Sequence, residues 1–139
     1  MAKESGLGVT TFSIDDAAGT QRAVLNDVHS LTINTPSAQG DVSGLDKSAM
    51  ERILLLADGS MNYAYTFNDA ATTGIYTVLS AYRTLAASQT GRTHTFTHSG
   101  NTLAMELLLT DFPVVRGADG SLGGSITANL SDGTVPTWA

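Results

Sequence analysis

Three histidines, His29, His94 and His98, are the first residues that could do chemistry. His94 and His98 fall on one face of a predicted strand, and a rise of ~3.3 Å per residue sets their backbones ~13 Å apart. A zinc ion with bonds of ~2 Å cannot be shared across that gap. Phe96 lies between them, so cross-strand packing or exposure is the simpler expectation. No metal ligand set is expected.

Carboxylates come next. Asp15 and Asp16 adjoin each other in a predicted turn, and Asp58, Asp119 and Asp132 each precede glycine. Aspartate in such places accepts hydrogen bonds from nearby backbone amides. A general acid needs a carboxyl in an apolar pocket. Glu106, between Met105 and Leu107, is the one candidate, and an exposed or interface position accounts for it more simply. No Gly-x-Ser-x-Gly elbow occurs, because Gly117-Ala118-Asp119-Gly120-Ser121 has the wrong order. Gly6-x-Gly8 and the 117–124 stretch lack a phosphate-loop lysine and a following helix. Asn129-Leu130-Ser131 has glycosylation spacing but no secretion signal to make use of it. Tyr63, Tyr65 and Phe67 could stack on bases, yet no basic groove accompanies them. No catalytic, cofactor-binding or metal residue is assigned, and the chain is expected not to be an enzyme.

The composition narrows the class further. The 139 residues suit a single domain, and 42% hydrophobic content describes a globular chain. Charged residues make up 14%, against ~25% in typical soluble domains. Small neutral residues fill the difference and lower the desolvation cost when copies meet. A net charge of −6 opposes wrapping of nucleic acid, which needs a basic face. There is no cysteine, the longest apolar run is Ile53–Ala57, and no signal peptide or membrane span is expected.

The elements follow from periodicity. Val9–Ile14 and Arg22–Asn34 read as β segments joined by a turn at 15–19. Residues 35–40 read as the start of an exposed loop running to 44. Ala49, Met50, Ile53, Leu54 and Ala57 recur at helical spacing after Ser43 and Asp46, which have the form of a capping box. They predict a helix over 44–57, stopped at Asp58-Gly59. Met61, Tyr63, Tyr65 and Phe67 alternate through a strand. Ile75, Val78, Leu79, Tyr82, Leu85 and Ala86 predict a helix over 73–87, capped by Thr72 or Thr73. Strands follow at 93–98 and 102–110, joined by a short hairpin loop at Ser99-Gly100-Asn101. Leu108 and Ala104 suggest that the second is buried on both faces. Leu122, Gly124, Ile126, Ala128 and Leu130 mark a last long strand before an extended tail, 132–139. The expected fold is α+β, mainly β: antiparallel sheets in a β-sandwich or barrel-like arrangement, flanked by one or two helices.

Several phrases carry a resemblance. Gly44-Leu45-Asp46-Lys47-Ser48-Ala49-Met50-Glu51-Arg52-Ile53-Leu54-Leu55-Leu56-Ala57-Asp58-Gly59 is one, and the strand ending Phe67-Asn68-Asp69 another. The run from Thr102 through Arg116-Gly117-Ala118-Asp119-Gly120, and Leu130-Ser131-Asp132-Gly133 to Trp138, complete it. Together they resemble the major tail tube proteins of long-tailed bacteriophages over nearly the whole chain. The resemblance implies self-association into hexameric rings that stack into a tube. It implies that DNA and the tape-measure protein pass through without specific binding, and that tail-tip and tail-terminator proteins are further partners. It implies a place in the virion tail, after assembly in the host cytoplasm. It also implies ring-to-ring contacts through a long loop, here Thr35–Gly44, and through the termini, Met1–Gly8 and Asp132–Ala139.

Two other readings compete. Another virion component of this fold, a tail terminator or baseplate module, would close rings that never stack. A carbohydrate- or ligand-binding β-sandwich would use Tyr63, Tyr65 and Trp138 as its aromatic platform.

Overall fold

Alternating burial runs through the long strands of the computed structural model, which describes residues 3–82 and 91–139. The strands are β1 Val9–Asp15, β2 Gln21–Ala23, β3 Val28–Asn34, β4 Ser37–Asp41, β5 Arg52–Ala57 and β6 Ser60–Thr66. After the helix α1, Ile75–Leu79, come β7 Arg92–His98, β8 Asn101–Leu109, β9 Val115–Arg116 and β10 Leu122–Leu130. A single 3-10 turn, Gly6–Gly8, precedes β1. The fold is mainly β with antiparallel pairing, as the periodicity and turn chemistry predict.

One sheet runs in the order β2-β1-β7-β8-β10-β6-β3, with β9 beside the N-terminal part of β10. β8 and β10 share only a short ladder, Leu107–Leu109 against Ala128–Leu130. At that junction the sheet turns back on itself. Phe12 of β1 consequently meets Tyr63 of β6 edge to face at 5.4 Å, although three strands separate β1 from β6 in the sheet. The core lies inside the fold: Phe12, Ile14, Met61, Tyr63, Tyr65, Leu103, Leu107, Ile126 and Ala128 are all buried. β7 and β8 are joined by a two-residue turn in which Ser99 (φ 51°) and Gly100 (φ 79°) are both left-handed. That is the geometry whose twist matches the flanking strands.

Several expectations need correction. The predicted helix over 44–57 does not form. Its apolar residues lie on β5, which pairs with β4 in a separate two-stranded ribbon. Ser43 does not cap a helix; its Oγ accepts from the Glu51 N–H at 2.7 Å and so ties the two strands together near the tip. The segment 35–44 is exposed but contains β4. Arg22–Asn34 is broken by a turn in which the Asp27 N–H donates to the Val24 carbonyl, which separates β2 from β3. β8 is buried on one face only, since Ala104 is exposed and Leu108 half-buried.

The helix predicted over 73–87 is shorter: it spans Ile75–Leu79 and ends at Ser80, with Ile75, Val78 and Leu79 buried, and Tyr82, also buried, follows in a turn. Its N-cap is Gly74, which has no side chain to offer, in place of Thr72 or Thr73. The buried carboxylate of Asp27 takes that role from a distance, accepting from the Ile75 N–H at 3.0 Å and from the Asn68 side-chain amide at 2.7 Å. Leu85 and Ala86 lie outside the described residues.

Candidate functional site

The histidines separate as the strand spacing requires. His94 is fully buried, with its Nδ1 2.8 Å from the Arg92 carbonyl and its Nε2 3.0 Å from the Tyr63 hydroxyl. A carbonyl can only accept, so Nδ1 carries the proton and Nε2 accepts from Tyr63. Burial pulls the pKa of His94 down to about 4, the neighbouring Arg92 charge pulls in the same direction, and the hydrogen bond to the Arg92 carbonyl opposes them only in part. Burial likewise raises the Tyr63 hydroxyl well above its ordinary value. A neutral imidazole sealed beside an un-ionised phenol is core structure, with no substrate access.

Glu106 has company that the sequence pattern did not reveal. Thr93 donates to its carboxylate at 2.6 Å, and Asp15 lies on the far side of Thr93. Burial first, then the Glu106 charge, raises the Asp15 carboxyl. The three groups lie on the face of the sheet opposite that of Phe12 and His94. Among the described residues no cluster of three or more His, Cys, Asp or Glu side chains could hold a metal ion. Tyr63 and Tyr65 are each 1% exposed, which removes them from any ligand-binding platform. Trp138 packs edge-on against Phe96 at 6.1 Å, and Ala139 pairs its backbone with Thr102. The tail thus lies along the free part of the β8 edge.

The surfaces with unspent binding capacity lie elsewhere. The ribbon of β4 and β5 forms an arm that leaves the body between β3 and β6, closed at its base where the Asp58 N–H donates to the Pro36 carbonyl at 2.8 Å. On it Leu54 is 78% and Leu56 86% exposed, and Ile53, Leu55, Met50 and Leu45 are exposed as well. Burying such a side chain is worth ~1.5–3 kcal/mol. An isolated two-stranded hairpin is marginal in water. Sequence reasoning missed this arm because a short apolar run does not distinguish strand from helix. The signal available was the polar, turn-forming stretch on either side of it.

A second surface is an apolar groove of about 430 Å³ between β3 and the β1–β7 pair, lined chiefly by Val9, Leu25, Val28, Leu31, Ile33 and Phe96. Beside it runs the outer edge of β3, which no described strand pairs. Residues Val28–Asn34 include no lysine, acid or proline, the usual means of blunting an edge.

The sheet faces turned away from the core share a third property, although Ser13 on the second of them is itself buried. Across β3, β6 and β10 the cross-strand rows are Ser30-Ala64-Ser125, Thr32-Asn62-Thr127 and Asn34-Ser60-Asn129. Across β1, β7 and β8 they are Thr11-Thr97-Thr102 and Ser13-Thr95-Ala104, followed by Thr93 with Glu106. Neither set of rows includes a lysine or arginine.

No protein-family model matches the chain, and no curated protein matches it. Solved structures do. The tail of an empty gene transfer agent particle, with C6 symmetry, superposes with a TM-score of 0.72 at 13% identity, covering 99% of each chain. A chain in the virion of the native gene transfer agent particle superposes at 0.69, also with 13% identity and 99% coverage of both. The chain shares the fold of a gene transfer agent tail chain. The likeness runs end to end, so the arm and the terminal segments are included within the superposed length.

Proposed function

We propose that this chain is a tail tube subunit. In this reading copies close into six-membered rings, the rings stack, and the bore carries DNA during ejection. The observation that carries it is the end-to-end likeness to a chain of a C6-symmetric particle tail. The exposed arm and the open β3 edge supply what such assembly needs: apolar surface and unpaired backbone that the lone chain leaves in water. A heterologous interface whose rotation closes produces a ring. The absence of cations from the exposed rows of β3, β6 and β10 suits a conduit, because phosphates passing that face meet no site on which to lodge. All 139 residues act as one body in this reading, with the tape-measure, tail-tip and terminator proteins as further partners and the virion tail as its place.

The test is negative-stain microscopy of concentrated protein, alone and with a tail-tip initiator complex. Rings or tubes are expected. A chain that remains monomeric under both conditions would defeat the proposal, and rings that close but never stack would indicate a terminator.

A further inference from the structure

We infer that Asp15 and Glu106 hold one proton between them through the Thr93 hydroxyl, and that this proton is a pH-sensitive lock on the end of β1. Gln21 pairs with Asp15, and Thr93 with Glu106. Ser13 lies opposite Thr95 and Ile14 opposite His94, so Asp15 stands beside Thr93 and the four residues form one cross-strand row over β2, β1, β7 and β8. The next row on this face, Ala23-Ser13-Thr95-Ala104, brings no cation either. Arg22 and Arg92 alternate to the other face.

A threonine hydroxyl has one proton to give and two lone pairs to accept with. Thr93 gives its proton to Glu106, with Oγ1 2.6 Å from Oε2. An ionised Asp15 on the other side then meets lone pairs alone. The Gln21 amide beside it is turned to Ser13, donating to Oγ at 2.7 Å. A protonated Asp15 completes the row, because its O–H donates to Thr93 Oγ1 and the Thr93 O–H donates to Glu106. Burial is the largest influence holding the proton on Asp15, followed by the Glu106 charge, and Asp16 adds to them; the Thr93 hydroxyl and the Arg92 charge oppose it without prevailing.

A carboxyl raised in this way ties the lock to acid. Its contribution to stability is complete below the unfolded value of ~3.9 and is lost as pH rises through the higher folded value. The loss falls on the end of β1 and, through the Asp15 to Gln21 pair, on β2. The turn that follows has its own support, since Asp16 Oδ1 accepts from the Ala18 and Thr20 N–H groups at 2.9 Å each. The proton therefore governs how firmly the β1–β2 hairpin is fastened to β7, and leaves the hairpin itself formed.

The carboxyl 13C shifts of the full chain report the proton directly when followed by NMR from acid to neutral pH, in solution for free subunits or under magic-angle spinning for sedimented assemblies. Asp15 and Glu106 should each show an inflection at the other's midpoint, as coupled groups do. In Glu106→Gln the Asp15 midpoint should move down. Hydrogen-exchange protection factors over 13–15 and 21–23 should be higher when Asp15 is protonated. Asp15→Asn places an amide donor beside Thr93 at every pH, and should hold that protection at its acid level in neutral solution. Thr93→Ser should keep the pH dependence of protection and Thr93→Val should lose it. Independent single inflections, an Asp15 midpoint unmoved by Glu106→Gln, or Asp15→Asn no better protected than the parent at neutral pH would each overturn the inference. If Glu106→Gln proves too unstable to titrate, the Thr93 pair decides, and equal pH dependence in Thr93→Val and Thr93→Ser would exclude a proton shared through the hydroxyl.

Discussion

At His94, burial and hydrogen bonding bear on the same ring, and the consequence is a specific dependence on acid. An unfolded histidine titrates near its ordinary value of ~6.5, whereas the folded ring titrates at about 4. Above the higher value the ring is neutral in both states and its contribution is complete. As pH falls from there towards 4, only the unfolded chain takes the proton, so stability is lost by ~1.4 kcal/mol per pH unit and roughly 3 kcal/mol in all. Urea midpoints measured from pH 7 to pH 4 should fall across this window, and His94→Gln should flatten the slope there. A slope unchanged in the variant would place the acid sensitivity elsewhere. Asp27 offers a second test. Its carboxylate satisfies the Ile75 N–H and the Asn68 amide inside the fold. Asp27→Ala leaves both unpaired, and a loss of ~2 kcal/mol is expected in equilibrium unfolding. Neither role was legible in the sequence. The spacing of His94 and His98 excluded a shared metal, but which strand would lie opposite His94 depends on how the sheet folds over, and that is set by contacts far apart in the chain. Asp27 likewise acts across a separation of 48 residues on a helix whose own cap position is a glycine.

The elements divide by how much of their burial is local. Strands with a clean period of two were legible: β6 with Met61, Tyr63 and Tyr65 inward, and β8 with Leu103, Met105, Leu107 and Leu109 inward. Their inner face meets the core of their own chain, so hydrophobic alternation reports it directly. The arm was not legible for the complementary reason. In Ile53-Leu54-Leu55-Leu56 successive side chains point to opposite faces and all are exposed, so no alternation of apolar with polar residues marks a strand. A helix with a wide apolar arc produces the same pattern. The arm also gives a direct structural prediction. Its base is already closed by the Asp58 to Pro36 hydrogen bond, so replacing residues 38–56 by an Asn-Gly turn should leave the body intact. Circular dichroism and the urea midpoint should remain close to those of the parent, while sedimentation shows loss of assembly. Retained rings and tubes would show that the arm is dispensable for both steps.

For the whole molecule, the decisive feature is a sheet that folds back on itself without closing, since β3 and β2 remain as its two outer strands. β2 is only three residues long and includes Arg22, which pairs with Asp16 at 2.9 Å. It is a poor template for another chain. β3 spans seven residues with no charge, and its residues Leu31 and Ile33 also line the groove. A copy that adds to this edge gains backbone hydrogen bonds and apolar burial together. Thr32 is exposed on the outward face, opposite Asn62. Thr32→Lys should therefore leave the lone subunit folded, because the side chain points to water and the core is untouched. In a closed ring the same change sets one ammonium beside each new seam, and lysine is the residue that natural edge strands use against pairing. The expected outcome is a monomeric chain of unchanged thermal stability in sedimentation velocity at low salt, with partial recovery of larger species as salt screens the charge. Unimpaired ring formation in Thr32→Lys would show that the seam lies at another edge, and the uncharged β3 border would then need a different explanation.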